Sequence, residues 1–246
     1  MKKRTIGNFL LCFFGIIGVI ALASIGPFTQ NEQFHAFGDN RNIFNVPNFW
    51  NVISNLPFII VGILGVYKYR RIQKEKVQYL IFFMGILLTG IGSIYYHLQP
   101  DNYTLIWDRL PMTIVFMSMF SIVISEFVSK KLGEVLFPIL LILGIFSVIL
   151  WILGEPQDLR LYGFVQFYPM LAIPIILIFF KSRFTHSSSY WFLLLTYAIA
   201  KSLEYYDVEL YGVLKYISGH SLKHIIAGVG LYYILNAYNK RKLIIE

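Results

Sequence analysis

Charge is scarce in this chain, and acidic charge scarcer still: only 14% of its 246 residues are Asp, Glu, Lys or Arg, and 13 of those are acidic. A soluble domain carries roughly a quarter of its residues as charges, so a water-soluble globule is excluded. Cysteine is nearly absent. Cys12 stands alone in an apolar run, which rules out an intrachain disulfide and leaves the redox compartment unread. Low-complexity tracts and any stretch with soluble-domain composition are also missing. So is the inverted repeat that builds many transporters.

Long apolar runs are what the chain has instead. It is 57% hydrophobic, with a mean hydropathy of +0.64. A membrane span needs roughly 20 apolar residues at a 1.5 Å rise each. Eight stretches qualify, at about 7–27, 49–68, 79–98, 109–128, 135–153, 163–180, 189–204 and 214–237. The expected fold is all-α: a polytopic membrane helix bundle with a seven-helix body and one N-terminal accessory helix. Residues 1–37 form that helix and an outer loop; residues 38–246 form the body. The opening Met1-Lys2-Lys3-Arg4, with Ala21-Leu22-Ala23 further on, resembles a secretory signal, but the uncharged run from Thr5 to Asn31 is long for one and a retained helix is expected. Connections are short, so neighbouring helices should run antiparallel.

The net charge of +8 suggests nucleic acid until the charges are placed. Basic residues cluster at Lys2, Lys3 and Arg4; at Lys68, Arg70, Arg71, Lys74 and Lys76; at Lys130 and Lys131; at Lys181 and Arg183; and at Lys240, Arg241 and Lys242. Between these clusters lie loops with Glu32, Asp39, Asp101, Glu155, Asp158, Asp207 and Glu209. That alternation is the positive-inside pattern. It puts both termini in the cytoplasm and makes the basic balance a topology signal, with no nucleic-acid partner implied.

Against this apolar background a few polar residues stand out, and ionisable groups at such depth usually mark a site. His220 and His224, in Ser218-Gly219-His220-Ser221-Leu222-Lys223-His224, lie on one helix face, about 5–6 Å apart at Cβ. Ser93 and His97 share a face near the outer end of the third span. Asp108 opens the fourth span on the same side. Three histidines with an open position make a catalytic zinc site, where bound water reaches a pKa near 7. Zincins place a Glu directly after the first His; here that position is Ser221, so Asp108 is the nearest carboxylate to serve as base, with Ser93 as an oxyanion donor. Depth is a tension. With its helix starting at 214, His224 lies about 15 Å in, while His97 sits near the surface. Each residue also has a plain structural alternative. The histidines serve equally well as interhelical hydrogen-bond partners, Ser93 as a packing residue, and Asp108 with Arg109 as a surface ion pair. Lys201, Glu204 and Asp207 read as a helix-end ion-pair set, Lys223 as an anchor on another face, and His35 and His186 as inert loop residues.

Four runs then resemble the CREST superfamily of alkaline ceramidases, progestin/adiponectin-type receptors and Per1-like proteins. They are Phe49-Trp50-Asn51-Val52-Ile53-Ser54-Asn55, Gly92-Ser93-Ile94-Tyr95-Tyr96-His97, Trp107-Asp108-Arg109-Leu110-Pro111-Met112, and Ser218 to His224. The likeness spans about residues 38–237, and its nearest branch is the ceramidases, bacterial members especially. It implies a zinc ion on His97, His220 and His224. Ser93 and Asp108 become the polar partners in hydrolysis of a ceramide-like N-acyl lipid to fatty acid and amine. The charge pattern places this active site toward the outer, periplasmic or extracellular, side, and the likeness to bacterial members implies a bacterial inner membrane. Animal members bind calcium through an acidic segment; here that segment reads Asp39-Asn40-Arg41-Asn42 with Asn48 following, a poor oxygen cage, and calcium is not expected. The alternatives are a lipid-sensing receptor with a structural zinc and a transporter using Lys201, Glu204 and Asp108 as a relay.

Overall fold

Apolar composition over runs of twenty residues leaves the backbone one economical solution in lipid, which is to satisfy its hydrogen bonds within helices. The computed structural model follows that solution. It describes residues 2–72 and 76–244; Lys74, counted above among the basic clusters, lies outside the described residues, as do the side chain of Lys76, Met1 and residues 245–246. Helices α1 (Lys2–Ser24), α2 (Phe49–Ile53), α3 (Leu56–Lys68), α4 (Lys76–Leu98), α5 (Thr104–Val123), α6 (Lys130–Leu153), α7 (Arg160–Phe179), α8 (Ser189–Tyr205), α9 (Asp207–Leu214) and α10 (Gly219–Lys240) form a polytopic bundle.

Among the described residues, six segments are long and apolar enough to cross a membrane: Lys2–Ser24, Phe49–Arg71, Val77–Leu98, Leu105–Val128, Lys130–Leu153 and Arg160–Phe179. The seventh and eighth expected spans are of different character. Helix α8 has 17 residues. Helix α10 has 22 but carries two histidines and Lys223 in its first two turns. Both lie in the bundle, packed on each other, and α10 also packs on α3.

Three boundaries differ from the sequence reading, each for a local reason. The second span is interrupted at Ser54 and Asn55, and α3 restarts with Pro57 in its first turn, where a missing N–H costs nothing. Asp108 does not open α5; the helix begins at Thr104, capped by Asp101, whose carboxylate accepts from the Thr104 amide at 2.6 Å while Thr104 Oγ1 accepts from the Asp101 amide. The last helix begins at Gly219, not 214. Ser218 caps it by accepting from the Ser221 amide, and residues 207–214 form the separate helix α9, which ends at Lys215 in the left-handed region (φ 63°). His224 therefore lies only about 7–8 Å below the start of its helix at 1.5 Å per residue, and the depth tension disappears.

The basic end of the bundle is tied together by a buried polar knot. A π-helical turn, Ile124–Val128, extends α5 and turns Glu126 inward. Glu126 pairs with Arg241 and accepts from the hydroxyls of Tyr79 and Tyr190. The Arg241 guanidinium lies 4.1 Å from the Phe184 ring centroid and 4.7 Å from that of Tyr238. Arg241, counted from sequence in the C-terminal basic cluster, is 7% exposed. Losing one partner of such a pair costs about 3–5 kcal/mol.

At the other end the long segment between α1 and α2 is folded onto the helix tips. His35, read as inert, bonds Tyr96 Oη through Nδ1 (2.9 Å) and Asn102 Oδ1 through Nε2 (3.1 Å). Arg41 engages both oxygens of Asp39 and the Tyr216 carbonyl. Arg109 turns away from its neighbour Asp108 and inserts among Trp151 (4.5 Å), Tyr162 (4.8 Å) and Phe34 (5.4 Å). The surface Asp108–Arg109 ion pair weighed above does not form. Helix α1 lies against α7, where Gly7 admits Phe179 and Phe180 and Tyr168 donates to the Leu11 carbonyl.

Candidate metal centre and lipid cavity

His97 is on the last turn of α4, and His220 and His224 are on the first two turns of α10. All three are buried, at 1%, 4% and 5% exposure. Their ligand nitrogens lie within 4.8 Å of one another, and the ring centroids are 4.8 to 5.1 Å apart. His97 Nε2 and His220 Nε2 are 3.3 Å apart. Either one ring donates to the other, or both aim lone pairs at a shared cation. The second arrangement has a definite spacing: two ligands at a Zn–N distance of about 2.0–2.1 Å in tetrahedral geometry are about 3.3–3.4 Å apart.

The tautomer of His224 follows from its neighbours. Ser54 Oγ donates its single proton to the Asn51 carbonyl (3.1 Å), so toward His224 Nδ1, 2.9 Å away, it acts as acceptor. Nδ1 therefore carries the hydrogen, and Nε2 is left as the unprotonated, ligand-capable nitrogen. A donor set of three imidazoles, one already fixed in the binding tautomer, fits zinc.

The surrounding shell is built from residues that the sequence reading left without roles. Asn51 is fully buried and joins three segments. Its Oδ1 accepts from Ser221 Oγ at 2.6 Å on α10, and its Nδ2 donates to the Asp39 carbonyl at 3.1 Å. Asn48 Nδ2 donates to the His97 carbonyl at 2.8 Å. Asp207, grouped from sequence with Lys201 and Glu204 as a helix-end ion-pair set, instead accepts from two backbone amides, that of Gly38 at 2.7 Å and that of His220 at 2.6 Å. It fastens the long segment and the N-terminus of α10 to one carboxylate, where negative charge is favourable. Phe37 covers the His97 and His220 rings at 4.8 and 4.7 Å. Asn51 and Ser54 were visible within a quoted motif; Asp207 and Phe37 carry no local signal of their position.

Ser93 and Asp108 meet because α4 and α5 approach closely. A β-carbon at Gly92 would collide with the Trp107 carbonyl, so glycine is required one residue before Ser93. Ser93 then lies on the same cavity wall as Asp108, close enough to interact with its carboxyl. Both residues, with His224, line a cavity of about 170 Å³. Its walls are mainly apolar and include Phe58, Phe82, Ile86, Val115, Phe116, Met119, Ile173 and Leu231. Lys223 also lines it, contrary to the sequence reading, and pairs with Glu204, which pairs in turn with Lys201. One residue is a 100° step around a helix, and this cavity is wide enough to take in both His224 and Lys223.

The arrangement can bind a divalent cation, hold a proton on a carboxyl beside it and bury a hydrocarbon chain. Residues 43–209, more than half the chain, match the ceramidase family model. That span contains Ser93, His97 and Asp108 and stops before His220. Among curated proteins, alkaline ceramidase 3 of Mus musculus is 34% identical over 67 residues, which cover 27% of this chain and 25% of that protein. The match thus spans about a quarter of the relative's length.

Proposed function

The chain belongs to the ceramidase family, and on that premise we propose that it is a zinc-dependent, integral-membrane lipid amidase that cleaves a ceramide-like N-acyl lipid to a fatty acid and an amine. The observation that carries this reading is that three buried imidazoles meet and that one of them, His224, lines an apolar cavity together with Ser93 and Asp108. His97, His220 and His224 would hold the ion. When bound there, zinc polarises a carbonyl and brings the pKa of water near 7.

The remaining work falls to the chain. Asp108 accepts the proton of the attacking water and returns it to the leaving amine nitrogen, which otherwise departs as a poor anion. Ser93 donates to the carbonyl oxygen as charge develops on it. The apolar walls take the acyl chain and exclude bulk water. The basic clusters support an orientation with both termini in the cytoplasm and the site toward the periplasmic or extracellular side of a bacterial inner membrane.

The test is hydrolysis of N-acyl lipids by purified protein. His220→Ala should lose both zinc and activity. Asp108→Asn should keep zinc and lose about 10²–10⁴-fold in turnover, the usual contribution of a positioned general acid–base. Undiminished turnover in either variant sinks the mechanism.

A further inference from the structure

Away from the metal end, most polar side chains of the cavity are already matched. Thr89 and Thr196 donate their hydroxyl protons to carbonyls of their own helices, those of Gly85 and Leu193. The Tyr190 hydroxyl belongs to the knot around Glu126. Gln166 on α7 and Tyr197 on α8 differ. Both line the cavity, and Gln166, only 6% exposed, donates through Nε2 to Tyr197 Oη at 3.0 Å.

That single bond leaves the pair half used. Among the described residues, the Gln166 amide oxygen accepts from no protein group and the Tyr197 hydroxyl proton has no acceptor. An interhelical bridge accounts for the bond itself. It does not account for a spare donor beside a spare acceptor on a wall otherwise made of Met112, Phe116 and Met170. With the bond reversed, Tyr197 donating to the amide oxygen, the amide N–H and the phenolic oxygen become the spare groups, so one donor and one acceptor are on offer either way. A hydroxyl, with one proton and two lone pairs, is their complement. A bare methylene chain strips water from both groups and returns nothing, which is costly.

Depth fixes where on the lipid such a hydroxyl would lie. The Tyr197 ring packs on Phe116 at 6.1 Å, and Phe116 is about 12 Å beyond Asp108 along α5 at 1.5 Å per residue. An extended carbon chain advances about 1.2 Å per bond, as an extended backbone does over three bonds per residue. With its carbonyl at the metal end, an acyl chain therefore reaches the pair near its tenth carbon.

We propose that Gln166 and Tyr197 form a hydroxyl subsite within the cavity, selecting an N-acyl lipid whose acyl chain carries a hydroxyl near the tenth carbon. This rests on the amidase reading and narrows its acyl half; the lipid stays neutral and ceramide-like.

Three ethanolamides of one chain length test it: the unsubstituted octadecanoyl amide and its hydroxy derivatives at carbon six and carbon ten. Carbon six falls level with Met112, about 6 Å beyond Asp108, where the wall offers no such pair. Binding is measured in detergent with the purified, slow Asp108→Asn variant, alongside kcat/KM for wild type. The carbon-ten hydroxy amide should bind at least about 5-fold more tightly than the unsubstituted one, the scale of a net hydrogen bond, and the carbon-six derivative no more tightly. With Gln166→Leu/Tyr197→Phe added, the gain should vanish and the unsubstituted amide should bind at least as well as before, which loss of a merely structural bridge would not produce. Thermal unfolding shows that each variant is folded; Tyr197→Phe alone, which keeps the ring against Phe116, should shrink the gain and serves if the double variant does not fold. Equal binding of the carbon-ten and unsubstituted amides, an equal gain at carbon six, or a gain undiminished in the folded variants overturns the subsite. Failure of the amidase reading looks different: wild type turns over none of the three amides while the gain that depends on Gln166 and Tyr197 remains.

Discussion

Asp207 is the carboxylate on which the metal centre most depends without touching it, and Asp207→Asn isolates what it does. Its two oxygens receive separate backbone donors, Gly38 N–H at 2.7 Å and His220 N–H at 2.6 Å. An asparagine of the same shape offers one oxygen and one NH₂ group, so one amide keeps a partner and the other faces a donor. The loss is one charge-assisted hydrogen bond, about 1.5–3 kcal/mol, together with the favourable charge at the start of α10, about 0.3–1 kcal/mol. A total near 3 kcal/mol corresponds to a fall in Tm of about 6–12 °C for a chain of this size. His220 is a candidate zinc ligand anchored through its own backbone, so zinc affinity should fall as well. The assay is thermal unfolding of detergent-purified protein with zinc per chain measured across a metal titration. Glu209→Gln, an exposed carboxylate on the same short helix, is the control and should stay within about 0.5 kcal/mol of wild type. An Asp207→Asn protein with wild-type zinc affinity and a Tm within about 2 °C would refute the reasoning, because the carboxylate would then be dispensable as an anchor.

Ser54→Ala removes the acceptor that holds the His224 proton on Nδ1 and should weaken zinc binding about 10–100-fold with little change in fold, as read by competition with a chelator of known affinity. Gly92→Ala forces α4 away from the Trp107 carbonyl and should separate Ser93 from Asp108; overpacking of this kind costs about 1–3 kcal/mol, and hydrolysis should fall further than zinc occupancy does. The Asp101 carboxyl is held below the ordinary carboxylate range, chiefly by the Thr104 amide it caps. A depressed folded value means that the cap's contribution is present above about pH 4, the unfolded carboxylate value, and is lost as pH falls further. Wild type and Asp101→Asn should therefore differ in unfolding temperature at pH 6 and converge on acidification; a gap unchanged at low pH would show that the charge does not matter there.

The helical class was legible because lipid admits few solutions, and runs such as 135–153 are apolar for longer than any soluble core element needs. The expectation that neighbouring helices run antiparallel came from the short connections between them. The four-residue spacing of His220 and His224 put both on one face before any tertiary contact was known. What sequence did not disclose has a common cause, which is that it depends on groups far apart along the chain. The start of α10 turned on Ser218 as a cap and on Asp207 receiving the His220 amide; without that partner, apolarity alone carries the helix back to 214. Arg109 beside Asp108 reads as an ion pair until α6 and α7 supply Trp151 and Tyr162. Arg241 reads only as one member of a basic cluster until α5 ends in a π-helical turn that brings Glu126 to it. Lys223 reads as facing elsewhere because a single helix has faces, whereas a cavity between helices can span two of them. Hydropathy and spacing thus determined which segments are helices and which residues share a face. Only the tertiary structure decided which faces meet, because a buried polar group takes whatever partner the packing brings within hydrogen-bond range, and that partner lies, as often as not, a hundred residues away.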